Sequence, residues 1–164
     1  MSVLELMTDY STDRNYILFE EDEGKKEIIR IFKGLFEKTK GVKNSKMLED
    51  ADIIVAFGRG YHPEKGIEDI KDIARKLGAQ YAATRPVQDM NIISSDRVLG
   101  KTALSANPKI YIGFGVSGAV QHLGSVKAQE IIAVNNNKNS AIFRHAKYAI
   151  LGDAREVAKF INGI

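Results

Sequence analysis

The chain has 164 residues, 44% apolar and 27% charged, and carries a net charge of +3. That is the content of one ordinary soluble domain, too short for two full cores and too apolar for a disordered chain. The weak positive charge falls short of a nucleic-acid footprint, and the lack of any cysteine excludes disulfides, thiol nucleophiles, iron–sulfur clusters and cysteine-type zinc sites. No apolar run approaches the length of a membrane span. Met1–Tyr10 lacks the basic-then-apolar order of a secretory signal, so the cytoplasm is the default expectation and no membrane contact is expected.

In chain order, residues 1–14 are short, mixed and polar, and Tyr16–Phe19 reads as a strand. The acids Glu20 to Glu23 suit the first turn of a following helix, where negative charge complements the helix dipole. Ile28, Ile29, Ile31, Phe32, Leu35 and Phe36 form one apolar helical face, and Gly41 is its stop. Asp52–Phe57 is a continuous apolar run of the kind found in buried parallel strands. A helix is predicted over 64–77 from Ile67, Ile70, Ile73, Ala74 and Leu77, closed by Gly78. Further strands are predicted at 80–83, 109–112, 130–134 and 148–151, with a helix from Ser117 to about Leu123. Asp153 suits the N-cap of a last helix containing Val157, Ala158, Phe160 and Ile161. Strands alternating with helices imply βαβ units and a mostly parallel sheet. The stretch 85–108 has weak periodicity, which in a compact domain points to a binding loop.

Three short motifs invite a chemical reading. Gly113-Phe114-Gly115-Val116-Ser117-Gly118 is a G-x-G-x-x-G after a strand and before a helix, the context in which backbone N–H groups meet a pyrophosphate. The same glycines also fit a tight turn that needs them for packing alone. A nicotinamide site places an acid at the end of the next strand, where this chain has Asn135. Gly100-Lys101-Thr102 has the ending of a phosphate loop, but Ser95 stands where the first glycine belongs, which argues against an NTPase. Gly58-Arg59-Gly60 offers a guanidinium at the carboxyl end of a strand, where ligands of open α/β sheets bind. His62, His122 and His145 have no metal-ligand spacing, and no catalytic residues are assigned.

Taken together these residues resemble the C-terminal, FAD-binding domain of the electron transfer flavoprotein alpha subunit. The pieces occur in family order: Gly58-Arg59-Gly60, Gly78-Ala79, Ala83-Thr84-Arg85, Leu99-Gly100-Lys101-Thr102, the block Gly115 to Leu123, Ile132 to Asn135, Ala141-Ile142-Phe143, and Gly152-Asp153. The chain departs from the family pattern at Thr84, Lys101 and Ala103, where the family has serine, glutamine and glycine, and Pro86 follows Arg85.

The resemblance implies an α/β fold: a three-layer, doubly wound, mostly parallel sheet, a Rossmann-like nucleotide-binding domain of the deoxyhypusine-synthase-like type. It implies residues 49–164 as the FAD-binding domain and 1–48 as a short strand/helix extension. It implies FAD as cofactor, with Arg85 against the isoalloxazine ring, Thr102 near its N5 and His122 near its C2 carbonyl. Ser117, Gly118, Ala119, Val120 and Gln121 would hold the ribityl chain and pyrophosphate, and Asn135, Asp153 and Ala154 the adenosine half. Arg59, Thr84, Leu99, Gly100, Lys101 and Gly115 would complete the lining. The function so implied is an electron carrier rather than a substrate-transforming enzyme, working with a beta-type subunit, another redox partner or a second copy of itself. The competing expectations are a nucleotide-binding or structural module that has lost FAD, and a nicotinamide-dependent enzyme.

Overall fold

The computed structural model describes residues 15–42, 47–99, 107–118 and 128–164. Among them six strands form one all-parallel sheet, and its order is β1-β6-β5-β4-β2-β3. The strands are β1 (Ile17–Leu18), β2 (Ile53–Phe57), β3 (Gln80–Ala83), β4 (Ile110–Phe114), β5 (Glu130–Asn135) and β6 (Tyr148–Leu151). The helices are α1 (Asp22–Lys38), α2 (Glu68–Leu77), the single turn α3 (Arg85–Gln88) and α4 (Ala154–Asn162). This is the doubly wound, Rossmann-like α/β arrangement expected from the alternating pattern.

Each strand feeds both sides of the sheet, because successive side chains point to opposite faces. Ile53, Val55 and Phe57 of β2 meet Ile28, Ile31 and Phe32 of α1, Ile70, Ile73 and Leu77 of α2, and Val157 and Ile161 of α4 in one cluster. Ile54 and Ala56 face the other way, into a second cluster with Leu48, Leu99, Tyr111, Val116, Ile142 and Phe143. On this second face a row of small residues crosses five strands in register: Ala82, Ala56, Gly113, Ala133 and Ala149. The row leaves room for bulky side chains above it, and a β-carbon on Gly113 would lie 3.1 Å from Ile142 Cδ1.

Local signals explain the element ends. α1 opens with Asp22 and Glu23 in its first turn, the acids expected there. α2 begins at Glu68, not 64: Pro63–Lys65 forms a separate 3-10 turn, and Gly66 at φ 111° breaks the backbone before the helix. Gly78 at φ 63° ends α2 as predicted. Asp153 caps α4 by accepting from Glu156 N at 3.0 Å. The stretch 85–108 is not one long loop. It holds α3, a 3-10 turn at Ser95–Arg97, and Val98, which bridges to Ala83 in parallel and adds one more residue to the sheet edge. The predicted helix 117–123 lies mostly outside the described residues.

Residues 16–19 and α1 belong to the same sheet and core as the rest. β1 pairs with β6, Phe19 N donates to Leu151 O at 3.0 Å, and α1 crosses so close that a β-carbon on Gly24 would lie 1.8 Å from Leu18 O. Gly34, on the exposed side of α1, has nothing within 4 Å of that position. The two glycines should therefore respond oppositely to alanine in urea unfolding. Gly24→Ala is expected to cost about 2–3 kcal/mol by overpacking, while Gly34→Ala is expected to gain about 0.5–1 kcal/mol from helix propensity.

Candidate functional site

The sheet register sets the geometry of the site. Ala83, Phe57, Phe114, Val134 and Ile150 align across five strands as one end row. At a spacing of about 4.8 Å per strand that row is about 19 Å long. The described residues singled out from sequence follow it within one to four positions: Thr84 and Arg85 after β3, Arg59 after β2, Gly115, Ser117 and Gly118 after β4, Asn135 as the last residue of β5, and Asp153 and Ala154 after β6. Parallel strands bring them to one carboxyl edge although they span 96 positions of sequence. Leu99 joins them, because its N–H donates to Ala83 O at 2.8 Å. Gly100, Lys101, Thr102, Ala119, Val120, Gln121 and His122 lie outside the described residues.

The switch in strand order falls between β2 and β4, the place where open α/β sheets bind ligands. Here the two connecting loops meet backbone to backbone. Gly58 N donates to Phe114 O at 3.0 Å and Gly60 N to Gly115 O at 3.1 Å. A β-carbon on Gly115, whose φ is 68°, would lie 2.3 Å from Tyr61 N, and one on Gly118, at φ 82°, would lie 2.5 Å from Ile142 N. The space above these glycines is filled by the chain itself. What remains for a ligand is donors: the N–H groups of Val116, Ser117 and Gly118 donate to no described residue. Three successive free N–H groups at a strand end form a suitable nest for a phosphate.

The charged side chains suit the same ligand. Arg59 and Arg85 are exposed at the edge, and neither is ion-paired with a described residue. Arg85 opens α3 immediately after Thr84, which is buried and held by Thr84 N donating to Phe57 O at 3.0 Å. Among the described residues no cluster of His, Asp and Glu could hold a metal ion.

Asn135 has an inward task. It is buried, and its Nδ2 donates to Val116 O at 3.2 Å and to Ser140 Oγ at 3.4 Å, while its Oδ1 accepts from Asn137 N at 2.9 Å. Ser140 Oγ in turn donates to Ser117 O at 3.0 Å, and Ile142 N to the same oxygen at 3.2 Å. The glycine loop is thus pinned to the 135–142 loop through Asn135 and Ser140. Reading Asn135 from sequence as a ribose neighbour does not reveal this pin. The Asx pattern Asn135/Asn137/Asn139 was the available signal, since such side chains cap backbone N–H groups two residues on.

Tyr61 and Arg155 support the arginine loop from below. Tyr61 is fully buried against Phe57 and Phe114, and its hydroxyl has no hydrogen-bond partner among the described residues. Burial pushes its pKa up to about 12, against the pull of Arg155. The Arg155 guanidinium lies 4.7 Å from the Tyr61 ring centroid and donates to the carbonyls of His62, Lys65 and Gly66 at 3.2, 3.3 and 2.8 Å. Neither residue was singled out from sequence.

Comparison with known proteins adds the family. Residues 47–127 match the electron transfer flavoprotein FAD-binding domain. Over 150 residues the chain is 38% identical to an electron transfer flavoprotein subunit alpha of Thermoanaerobacterium thermosaccharolyticum, covering 91% of this chain and 44% of that protein. It is 40% identical over 108 residues to protein FixB of Bradyrhizobium diazoefficiens, covering 65% and 29%. It is 42% identical over 105 residues to protein FixB of Azotobacter vinelandii, covering 63% and 29%. The chain spans less than half the length of these relatives.

Two outcomes follow from the pinned loop and the orphaned hydroxyl. Asn135→Ala removes three hydrogen bonds from a buried amide and is expected to cost about 2 kcal/mol in urea unfolding, with faster hydrogen exchange at Asn137 N–H. Tyr61→Phe removes a buried polar atom that has no partner among the described residues and is expected to gain about 1 kcal/mol at neutral pH. Because the folded pKa of Tyr61 is about 12 against an ordinary 10.0, its contribution is intact below pH 10 and lost as pH rises toward 12. The variant's unfolding free energy should fall less steeply than wild type across that window. Some alkaline loss should persist, because burial also raises the pKa of Tyr111.

Proposed function

On the premise that residues 47–127 belong to the electron transfer flavoprotein FAD-binding domain family, we propose that this chain binds FAD across the carboxyl edge of its sheet and serves as an electron carrier. FAD is the cofactor for which this domain family is named, and when bound it supplies an isoalloxazine ring that accepts and releases electrons. The observation that carries the reading is the five-strand edge itself, where three backbone N–H groups and two arginines without a partner among the described residues stand along one end of the sheet.

Each residue has a task in this proposal. The N–H groups of Val116, Ser117 and Gly118 hold the pyrophosphate, together with Ala119 to Gln121. Arg59 adds positive charge beside it. Asp153 keeps one carboxylate oxygen on Glu156 N, so the start of α4 presents its remaining N–H groups and the Ala154 backbone to the adenosine half. Thr84 and Leu99 fix the β3 end, so that Arg85 stands against the ring. Gly100, Lys101, Thr102 and His122 complete the ring surroundings. A guanidinium there favours negative charge on the ring, which is how a protein raises a flavin's potential. One of the relatives is called subunit alpha, which supports a beta-type subunit or other redox partner as the electron donor or acceptor. A homodimer is the alternative assembly, and a cytoplasmic location fits the reading.

The test is direct. Purified protein should quench flavin fluorescence on adding FAD and hold it through gel filtration; absence of binding at saturating FAD would overturn the proposal. In the holoprotein, Arg85→Ala should lower the flavin reduction potential by about 40 mV, the one-electron equivalent of about 1 kcal/mol for a charge in contact at a wet edge. An unchanged potential would remove Arg85 from the ring.

A further inference from the structure

We propose that Tyr16 and Phe19, which precede the family match, form a positioning element for the adenosine half of the cofactor site. The proposal rests on the FAD reading above. It starts from a contact of very long sequence range. Tyr16 Oη donates to Lys138 O at 2.7 Å across 122 residues. The Tyr16 ring packs edge-on against Phe143, with centroids 5.3 Å apart at 78°. Lys138 and Phe143 lie in the loop that follows β5, on either side of Ser140.

Among the described residues, hydrogen bonds tie that loop from two sides. On its inner side Asn135 and Ser140 tie it to Val116 and Ser117 of the glycine loop. On its outer side the tie is Tyr16. Within the loop, the N–H groups of Asn137 and Asn139 are turned back on Asn135 and Asn137, so its shape is set by local turns that need an anchor to be fixed in space. Three residues on, Phe19 performs the same service for the next loop. Its Cβ lies 2.6 Å from where a β-carbon of Gly152 would stand, its N–H donates to Leu151 O at 3.0 Å, and its ring stacks edge-on against Phe160 of α4 at 5.5 Å. Phe19 therefore sets where Gly152 ends and Asp153 begins. Tyr16 and Phe19, on either side of the short edge strand β1, thus touch the two loops assigned to the adenosine half.

The contact is built for position more than for stability. The Tyr16 hydrogen bond is exposed, so losing it costs the fold little. A ligand that needs the 136–143 loop in one place must then supply the ordering itself, and binding weakens by that amount. The hydroxyl acts through Lys138 O and touches no ligand in this scheme, which makes Tyr16 a positioning residue.

Tyr16→Phe in the full chain isolates the hydroxyl, because the ring remains to pack on Phe143. Expected are affinities for FAD and for ADP that both fall about fivefold, the worth of one ordinary hydrogen bond, with the potential of bound FAD unchanged. Tyr16→Trp, which keeps an edge-on ring and loses the donor geometry, should match the phenylalanine variant. Unchanged affinity for both ligands in Tyr16→Phe overturns the proposal, as does a loss for FAD without a loss for ADP or a shifted potential. Wild-type protein that binds FAD and not ADP also overturns it while leaving the flavin reading standing. Wild-type protein that binds neither removes both.

Discussion

The backbone crossing of Gly58 and Gly60 with Gly115 is the constraint on which the rest of this molecule depends. β2 and β4 are neighbours in the sheet but far apart in sequence, and the chain turns in opposite senses on leaving them. Their loops can sit side by side only if both backbones approach without side chains between them, and the two N–H···O bonds from Gly58 and Gly60 require that approach. A β-carbon at any of the three positions would fall within 3 Å of the other loop's backbone. Once the crossing is made, Arg59 is exposed and Tyr61 buried, and the next three N–H groups of the glycine loop donate to no described residue. The placement of charge, donors and aromatic support follows from a single close contact.

A second constraint supports the first. The row Ala82, Ala56, Gly113, Ala133 and Ala149 lowers one face of the sheet just before its carboxyl end. Val116, Ile142 and Leu99 fill the depression. Those three residues lie in the loops that carry the site, so the hydrophobic effect pulls the loops down onto the sheet. Arg155 does the corresponding work on the opposite side, where α4 packs, with three carbonyls of the loop after Tyr61 as acceptors. The described part of the carboxyl edge is therefore held down by packing.

Much of this was legible in the sequence, and the reasons differ by element. The run Ile53–Phe57 reads as a buried strand because all five residues are buried, and the end of α2 at Gly78 reads from a residue that alone adopts φ 63° at little cost. The α4 cap reads from Asp153, whose contact is local. What was not legible depends on long range. Residues 64–66 look helical by spacing, yet Gly66 and the carbonyls held by Arg155, 89 residues away, keep them out of α2. Stretch 85–108 looks structureless because Val98 gains its sheet partner only when β3 is in place. The tie from Tyr16 to Lys138 has no local signature at all. In the site, the edge residues on strand ends were legible because parallel strands must finish on the same side, while the inward duty of Asn135 was not, because it exists only once the two loops touch.

The glycine motif shows why one pattern supports two readings that are not alternatives. Taken as a packing motif it is correct: Gly113 makes room for Ile142, Gly115 for Gly60 and Tyr61, and Gly118 for Ile142 N. The phosphate reading draws on the other side of the same backbone, where the N–H groups of Val116, Ser117 and Gly118 donate to no described residue. Packing uses the side of each glycine where a side chain would stand, and a bound anion would use the N–H side. A substitution at Gly115 would therefore remove both at once, whereas a change at Asn135 or Tyr16 loosens the loop and leaves the donors in place. The acid that a nicotinamide site would require at the end of β5 is absent, and the amide standing there already has its donors directed to Val116 and Ser140. On the FAD proposal, the ribose side of this edge would be shaped by loop position more than by a charged side chain, the arrangement in which an outer anchor such as Tyr16 has the most influence.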